Sequence, residues 1–216
     1  MDMDILYGIE PLDALYSYED CKPCLATLVC SESSRSKVGI EIPLLSECLH
    51  LEKSIVYYGL EPILGLTGTR AEVLHSIHVQ ERLHKINIID PTNFDVGQLR
   101  DEVEVREADV VIVKPPVWQL YDAEGGYEGF YRTLKDISRE MCKKIVVLAE
   151  DIEDVVASKR HADMTVVLLF RGEEEPLCGQ KVACFDAIVD LNILAPCPEC
   201  LTLEYHGENC TWSTKD

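Results

Sequence analysis

Residues 28–38 read Leu-Val-Cys-Ser-Glu-Ser-Ser-Arg-Ser-Lys-Val. A buried strand, a loop and a helix start spaced in this way form the layout that cradles phosphates, whose full pattern is G-x-x-x-x-G-K-[ST]. Ser31 and Ser36 stand in the two glycine places, Lys37 in the lysine place and Val38 in the hydroxyl place. Glycine lets backbone N–H groups turn toward phosphate at positive φ, whereas serine does so at a cost of roughly 1 kcal/mol per residue. Val38 offers no oxygen to a magnesium ion. Lys37 has two readings: a solvated residue near a helix start, or a ligand for an anion at a helix N-terminus.

The cysteines offer a second chemistry. Cys21-x-x-Cys24 and Cys197-x-x-Cys200 have the spacing of zinc ligands. The pairs are far apart in the chain, and nothing in the sequence joins them. Cys197, Cys200, His206 and Cys210 make a local candidate metal set, similar to a zinc knuckle with its histidine displaced by one place. On a strand over 201–206, Cys200 and His206 would share a face. A turn disulfide and free thiols are the alternatives. Cys21-Lys-Pro-Cys24 has the form of a redox pair, but it precedes a strand rather than a helix N-terminus, where a thiolate is stabilised. No cysteine stands in a Cys/His nucleophile signature.

The elements that must position these residues alternate regularly. Apolar, Val/Ile/Leu-rich runs at 25–30, 54–59, 86–89, 109–113, 144–149 and 164–170 predict strands buried on both faces, as in a parallel sheet. Helical patterns fall at 38–50, 69–84, 95–106, 127–141 and 151–160. Thr69 with Glu72 fits a capping box, and Glu150 and Asp151 suit the N-terminal end of the last helix. After a polar turn at 171–176, strands are expected near 180–185, 187–194 and 201–206. They read as antiparallel additions to the parallel sheet. With no linker or repeat, the expectation is one domain over 1–216: a leading segment 1–24, an α/β core 25–170 and a β-rich extension 171–216.

Composition narrows the function. The 216 residues are 47% hydrophobic and 27% charged, as in globular proteins generally, and the formal net charge is −19. That charge disfavours direct nucleic-acid binding and favours protein partners. The short basic runs Lys143-Lys144 and Lys159-Arg160-His161 read as helix ends. No apolar run is long enough for a membrane span, and the acidic start Met1-Asp2-Met3-Asp4 is unlike a signal peptide, so a cytoplasmic location is expected. Ten cysteines are many for a reducing compartment. Cys30 and Cys48 are expected in the core, as small hydrophobes. His75, His78 and His84 share a helical stretch without a third close ligand, so a surface helix is the reading. Gly125–Tyr131 is an aromatic loop for which helix capping and packing are favoured over base stacking. Trp118 is either an interface anchor or a core residue.

Taken in order, several segments resemble the RecA-like ATPases, especially their KaiC and RadA branch. Tyr7-Gly-Ile-Glu-Pro-Leu-Asp-Ala-Leu15 resembles that branch's Gly-Ile-x-x-Leu-Asp opening, and residues 31–38 stand where its phosphate loop stands. Ser54–Glu61 resembles the strand that ends in the water-activating glutamate, although Glu61 before Pro62 also reads as a strand end. Ala108–Lys114 resembles the strand that normally ends in a magnesium-positioning aspartate. Lys144–Leu148 and Ala162–Leu169 resemble the next two core strands. The resemblance implies a three-layer RecA-like fold with helices on both faces of a mainly parallel sheet.

It also implies which chemistry is missing. Lys114 replaces the aspartate, and an ammonium about 5 Å from Mg²⁺ is repelled by at most roughly 6–7 kcal/mol at an effective dielectric of ~20. Micromolar binding is worth about 8 kcal/mol in total. The expectation is therefore a catalytically inactive relative that binds or regulates an active RecA-like ATPase, in recombination and repair or in signalling, with homo-oligomerisation also open. Residual nucleotide or anion binding would fall to Ser31, Ser36, Lys37, Glu61 and Lys114. A divergent ATPase using Lys37 and Glu61, or a zinc or redox module, are the alternatives.

Overall fold

The structure, a computed structural model, describes residues 9–13, 25–30, 41–59, 83–92, 95–116, 120, 124–150, 152–174, 182–191, 199–206 and 211–215. Among the described residues, nine strands form one sheet: β1 (Leu25–Cys30), β2 (Ile55–Gly59), β3 (Ile86–Ile89), β4 (Val110–Lys114), β5 (Lys144–Ala149), β6 (Met164–Glu174), β7 (Val182–Leu191), β8 (Glu199–His206) and β9 (Thr211–Thr214). Their order across the sheet is β3-β2-β4-β5-β1-β6-β7-β8-β9. From β3 to β6 all pairs are parallel, and from β6 to β9 all are antiparallel.

The central strand shows why apolar runs predicted this arrangement. All six residues of β1 are buried, because it lies between β5 and β6 and has packing on both faces. Alternation sends Ala26, Leu28 and Cys30 to one cluster and Leu25 and Val29 to the other. On the first face lie α1 (Glu10–Asp13) and α2 (Glu41–His50), through Leu12, Leu44, Leu45, Cys48 and Leu49. On the second lie α3 (Leu99–Val105), α4 (Gly126–Met141) and α5 (Ile152–His161), through Leu99, Val103, Phe130, Tyr131, Leu134, Ile137 and Ala157. The result is three layers.

The helix starts carry local signals. Asp95 and Gln98 bond reciprocally, side chain to backbone, at 3.1 and 3.0 Å ahead of α3. This capping box satisfies two N–H groups that the helix leaves open. The helix expected at 69–84 and the Thr69 capping box lie outside the described residues.

Polar groups on the second face are tied together. The Asp163 carboxylate accepts the Leu25 N–H at 2.9 Å and pairs with the Lys135 ammonium. Tyr131 donates its hydroxyl to Asp154 at 3.1 Å, and the Ser158 and Thr165 hydroxyls share a bond of 3.0 Å. Burial pushes the Tyr131 pKa well above 10.0, and the neighbouring Asp154 carboxylate adds to the rise. These groups fix α4 and α5 against β1 and β6.

Cys30 and Cys48 are buried, as their apolar surroundings in the sequence imply. Burial pushes the Cys48 thiol up to about 12 from an ordinary 9.0. Three units mean about a thousandfold less thiolate at neutral pH, and the thiolate is the nucleophile. Cys48 is expected to resist alkylation in the folded protein while exposed Cys142 and Cys200 react. Mass spectrometry of an iodoacetamide time course checks this, and equal rates at all three would refute it.

The extension differs from expectation in two places. The polar turn expected from 171 begins later, since β6 continues through Glu174 across a register shift between Phe170 and Gly172. The two strands expected at 180–185 and 187–194 are one strand, β7. Asp186, the residue between the two expected strands, lies on the face away from the core cluster of Phe185 and Ala187. There it meets Arg171 at 3.4 Å and the Thr202 hydroxyl at 3.4 Å, so the strand passes through it unbroken. Phe170, Phe185, Trp212 and Tyr205 pack one against the next in that order, with tilted rings at centroid spacings of 5.1–5.4 Å.

Candidate functional site

The helices that follow β1 and β5 lie on opposite faces of the sheet. α2 follows β1 on the first face, while α4 and α5 follow β4 and β5 on the second. In open α/β sheets the ligand crevice lies outside the carboxyl ends of the strands, at such a divergence. The carboxyl ends there are Cys30 of β1, Lys114 of β4 and Ala149 of β5, with Gly59 of β2 beside Lys114.

Lys114 is the one predicted anion-site residue within the described region. It ends β4, partly exposed, in register with Gly59. Alternation from Val110 and Ile112, both in the first cluster, starts its side chain on the face that carries α2. α2, the next described element after β1, packs on that same face. The approach of β2 to β4 is tight here. A Cβ at position 59 would lie 3.0 Å from the Lys114 carbonyl oxygen, 3.1 Å from its Cβ and 2.8 Å from Tyr57 Cε1. Glycine at 59 therefore fixes where the lysine backbone stands. Ser31, Ser36, Lys37 and Glu61 lie outside the described residues. Ser31 directly follows Cys30, and Glu61 lies two places beyond Gly59 in sequence.

The zinc-knuckle set is not brought together by β8. Cys200 and His206 do share a face of this strand, but they lie opposite Ile188 and Val182 respectively, toward its two ends. Six residues of strand span about 20 Å, and ligands to one zinc must each come within about 2.0–2.3 Å of it. His206 instead bonds the Ser213 hydroxyl through Nε2 at 3.0 Å. Cys21, Cys24, Cys197 and Cys210 lie outside the described residues, as do His75, His78 and Trp118.

Two features bear on nucleic acid. Residues 126–131 form the first turns of α4 rather than a loop, with Tyr127, Phe130 and Tyr131 buried. Their rings pack inward because the helix period places them on the core face, as the packing reading holds. The basic end of α5 is neutralised: Arg160 and His161 both meet Glu128, at 2.5 and 2.8 Å, and Lys159 meets Asp190 at 3.2 Å. Hydrogen bonding from His161 foremost, helped by Arg160, holds the Glu128 pKa below its ordinary 4.5. No helix among the described residues is long and apolar enough to cross a membrane.

A further cluster, Glu174, Cys184 and Glu204, has no signature in linear spacing. Antiparallel pairing of β6, β7 and β8 assembles it.

No family model matches the chain, and no curated protein matches it significantly. Solved structures do. A KaiC-like protein of the hyperthermophilic archaeon Pyrococcus horikoshii superposes with a TM-score of 0.62 at 12% identity, covering 98% of both chains. The ATPase domain of another protein superposes with a TM-score of 0.68 at 13% identity, covering 100% of this chain and 93% of that one. With both superpositions spanning almost the whole length of the chains, the chain has a RecA-like α/β fold.

Proposed function

We propose that this chain is a RecA-like domain that acts by binding, as a catalytically silent partner or regulator of an active RecA-like ATPase. The observation that carries the reading is Lys114 at the carboxyl end of β4, held in register beside Gly59, where the resemblance calls for a magnesium-positioning aspartate. A cation at that place opposes a divalent ion by several kcal/mol, of order 6 at ~5 Å and a dielectric of ~20. Val38 removes the hydroxyl ligand as well. A copy relieved of hydrolysis keeps the surfaces by which such domains meet. The formal charge of −19 and the paired basic end of α5 favour a protein partner over direct nucleic-acid contact. The working context is the cytoplasm, in recombination and repair or in signalling. The whole chain acts as one domain, with self-association as the competing assembly.

Magnesium–ATP turnover by the purified chain is expected at buffer level. Millimolar magnesium–ATP is expected to leave the melting temperature unchanged. A ligand at a hundred times its Kd would add about 2.7 kcal/mol, roughly 5–11 °C for a chain of this size. The chain should instead co-elute with an active RecA-like ATPase supplied by the same cell. Saturable turnover that Lys37→Ala abolishes would replace this reading with that of a divergent ATPase.

A further inference from the structure

We propose that Glu174, Cys184 and Glu204 form a binding site for a borderline-soft divalent cation such as Zn²⁺, which takes the place held here by the Lys215 ammonium. The three donors come from three adjacent strands. Gly172 pairs with Cys184, and Cys184 pairs with Glu204, so the register sets the thiol between the carboxylates. The Cys184 sulfur and one oxygen from each glutamate all lie within 4.8 Å of one another. Bonds of about 2.0–2.3 Å to a tetrahedral metal put donor atoms roughly 3–4 Å apart. Glu174 is exposed and Glu204 partly so, and rotation of these two side chains closes the difference.

Two further observations point to a cation. The first is that one is already seated among the donors. The Lys215 ammonium lies 2.5 Å from a Glu174 oxygen, 3.8 Å from a Glu204 oxygen and 3.9 Å from the Cys184 sulfur. Its backbone N–H is anchored on the Thr202 carbonyl at 2.9 Å, which leaves the flexible side chain free to withdraw without moving β9. The second is access. Cys184 is only 3% exposed, yet it lines an open hollow of about 510 Å³ together with Arg171, Gly172, Glu173, Glu174, Thr202 and Lys215. That volume admits a metal ion with a water as fourth ligand. The thiol selects the metal class, because magnesium and calcium take oxygen ligands while zinc takes sulfur readily. On binding, the thiol proton leaves to solvent and the ammonium swings out. The charge of the site then passes from an ammonium with two carboxylates to a divalent ion with two carboxylates and a thiolate. This site is separate from the Cys197–Cys210 set and independent of whether the chain partners an ATPase.

The test is a titration of the reduced, chelator-stripped full chain with Co²⁺, followed by displacement with Zn²⁺. One equivalent is expected, with a thiolate-to-cobalt charge-transfer band in the near ultraviolet that Zn²⁺ removes. The band should vanish in Cys184→Ser and persist in Cys200→Ser. Glu204→Gln should weaken Co²⁺ about tenfold or more, and Lys215→Met should tighten it by a similar factor, since a competing charge has gone. If Lys215 were only a structural counter-ion, its loss would lower stability and leave metal affinity alone. That result, an absent band, or a band that survives Cys184→Ser would overturn the proposal. Should Cys184→Ser fail to fold, Glu204→Gln and Lys215→Met, which alter more exposed side chains, decide it.

Discussion

Asp163→Ala is expected to lower the melting temperature by roughly 6–20 °C. Asp163 and Lys135 are both nearly buried, at 7% and 8% exposure. The carboxylate serves two partners at once, the Lys135 ammonium and the N–H of Leu25 at the start of the central strand. Alanine leaves a buried ammonium without its counter-ion and an open N–H. Breaking a buried pair from one side costs about 3–5 kcal/mol, and a chain of this size loses roughly 2–4 °C per kcal/mol. The Leu25 carbonyl also accepts the Asp163 N–H at 2.7 Å, so the same residue clamps β1 through main chain and side chain. Replacing both partners, as in Lys135→Met with Asp163→Leu, should recover much of the loss, because no uncompensated charge then remains. Thermal denaturation followed by circular dichroism measures both. A single-variant shift under about 3 °C would show that water reaches the lysine.

Gly129→Ala should be nearly as damaging, for a steric reason. A Cβ on Gly129 would stand 1.8 Å from the carbonyl oxygen of Glu124, a main-chain atom that no side-chain rotation can move. Either the first turn of α4 or the turn before it must shift. Overpacking of this kind costs about 3 kcal/mol or more, and the shift would also disturb Glu128, which holds Arg160 and His161. Gly126→Ala serves as the internal control. Nothing lies within 4 Å of its added Cβ, and only its φ of +60° resists a side chain, at roughly 1–2 kcal/mol. Equal melting temperatures for the two variants would refute the steric account.

What was legible in the sequence follows from the range of the signals. β1, β2, β4 and β5 are flanked on both sides, so apart from Thr27 and the terminal Lys114 and Lys144 their side chains form near-continuous apolar runs, and those runs announce them. The amphipathic period of α4 likewise survives in the sequence, because one of its faces is buried and the other wet. The extension was less legible. Asp186 interrupts an apolar run yet sits on the open face of β7, where polar residues are ordinary in an antiparallel strand. The Cys200–His206 spacing looked like a metal motif, but spacing acts locally only in a turn, and a straight strand carries the two apart. The cluster of Glu174, Cys184 and Glu204 was invisible for the opposite reason. Its members are joined by register alone, and register depends on how distant strands pair.

The outermost strands, β3 and β9, are each four residues long. A strand from another molecule would therefore find a ladder of only four described residues at either border, too short to hold against the entropy of association. Among the described residues, borders this short disfavour edge-to-edge pairing, despite a sheet nine strands wide. The −19 formal charges add mutual repulsion between copies at such borders.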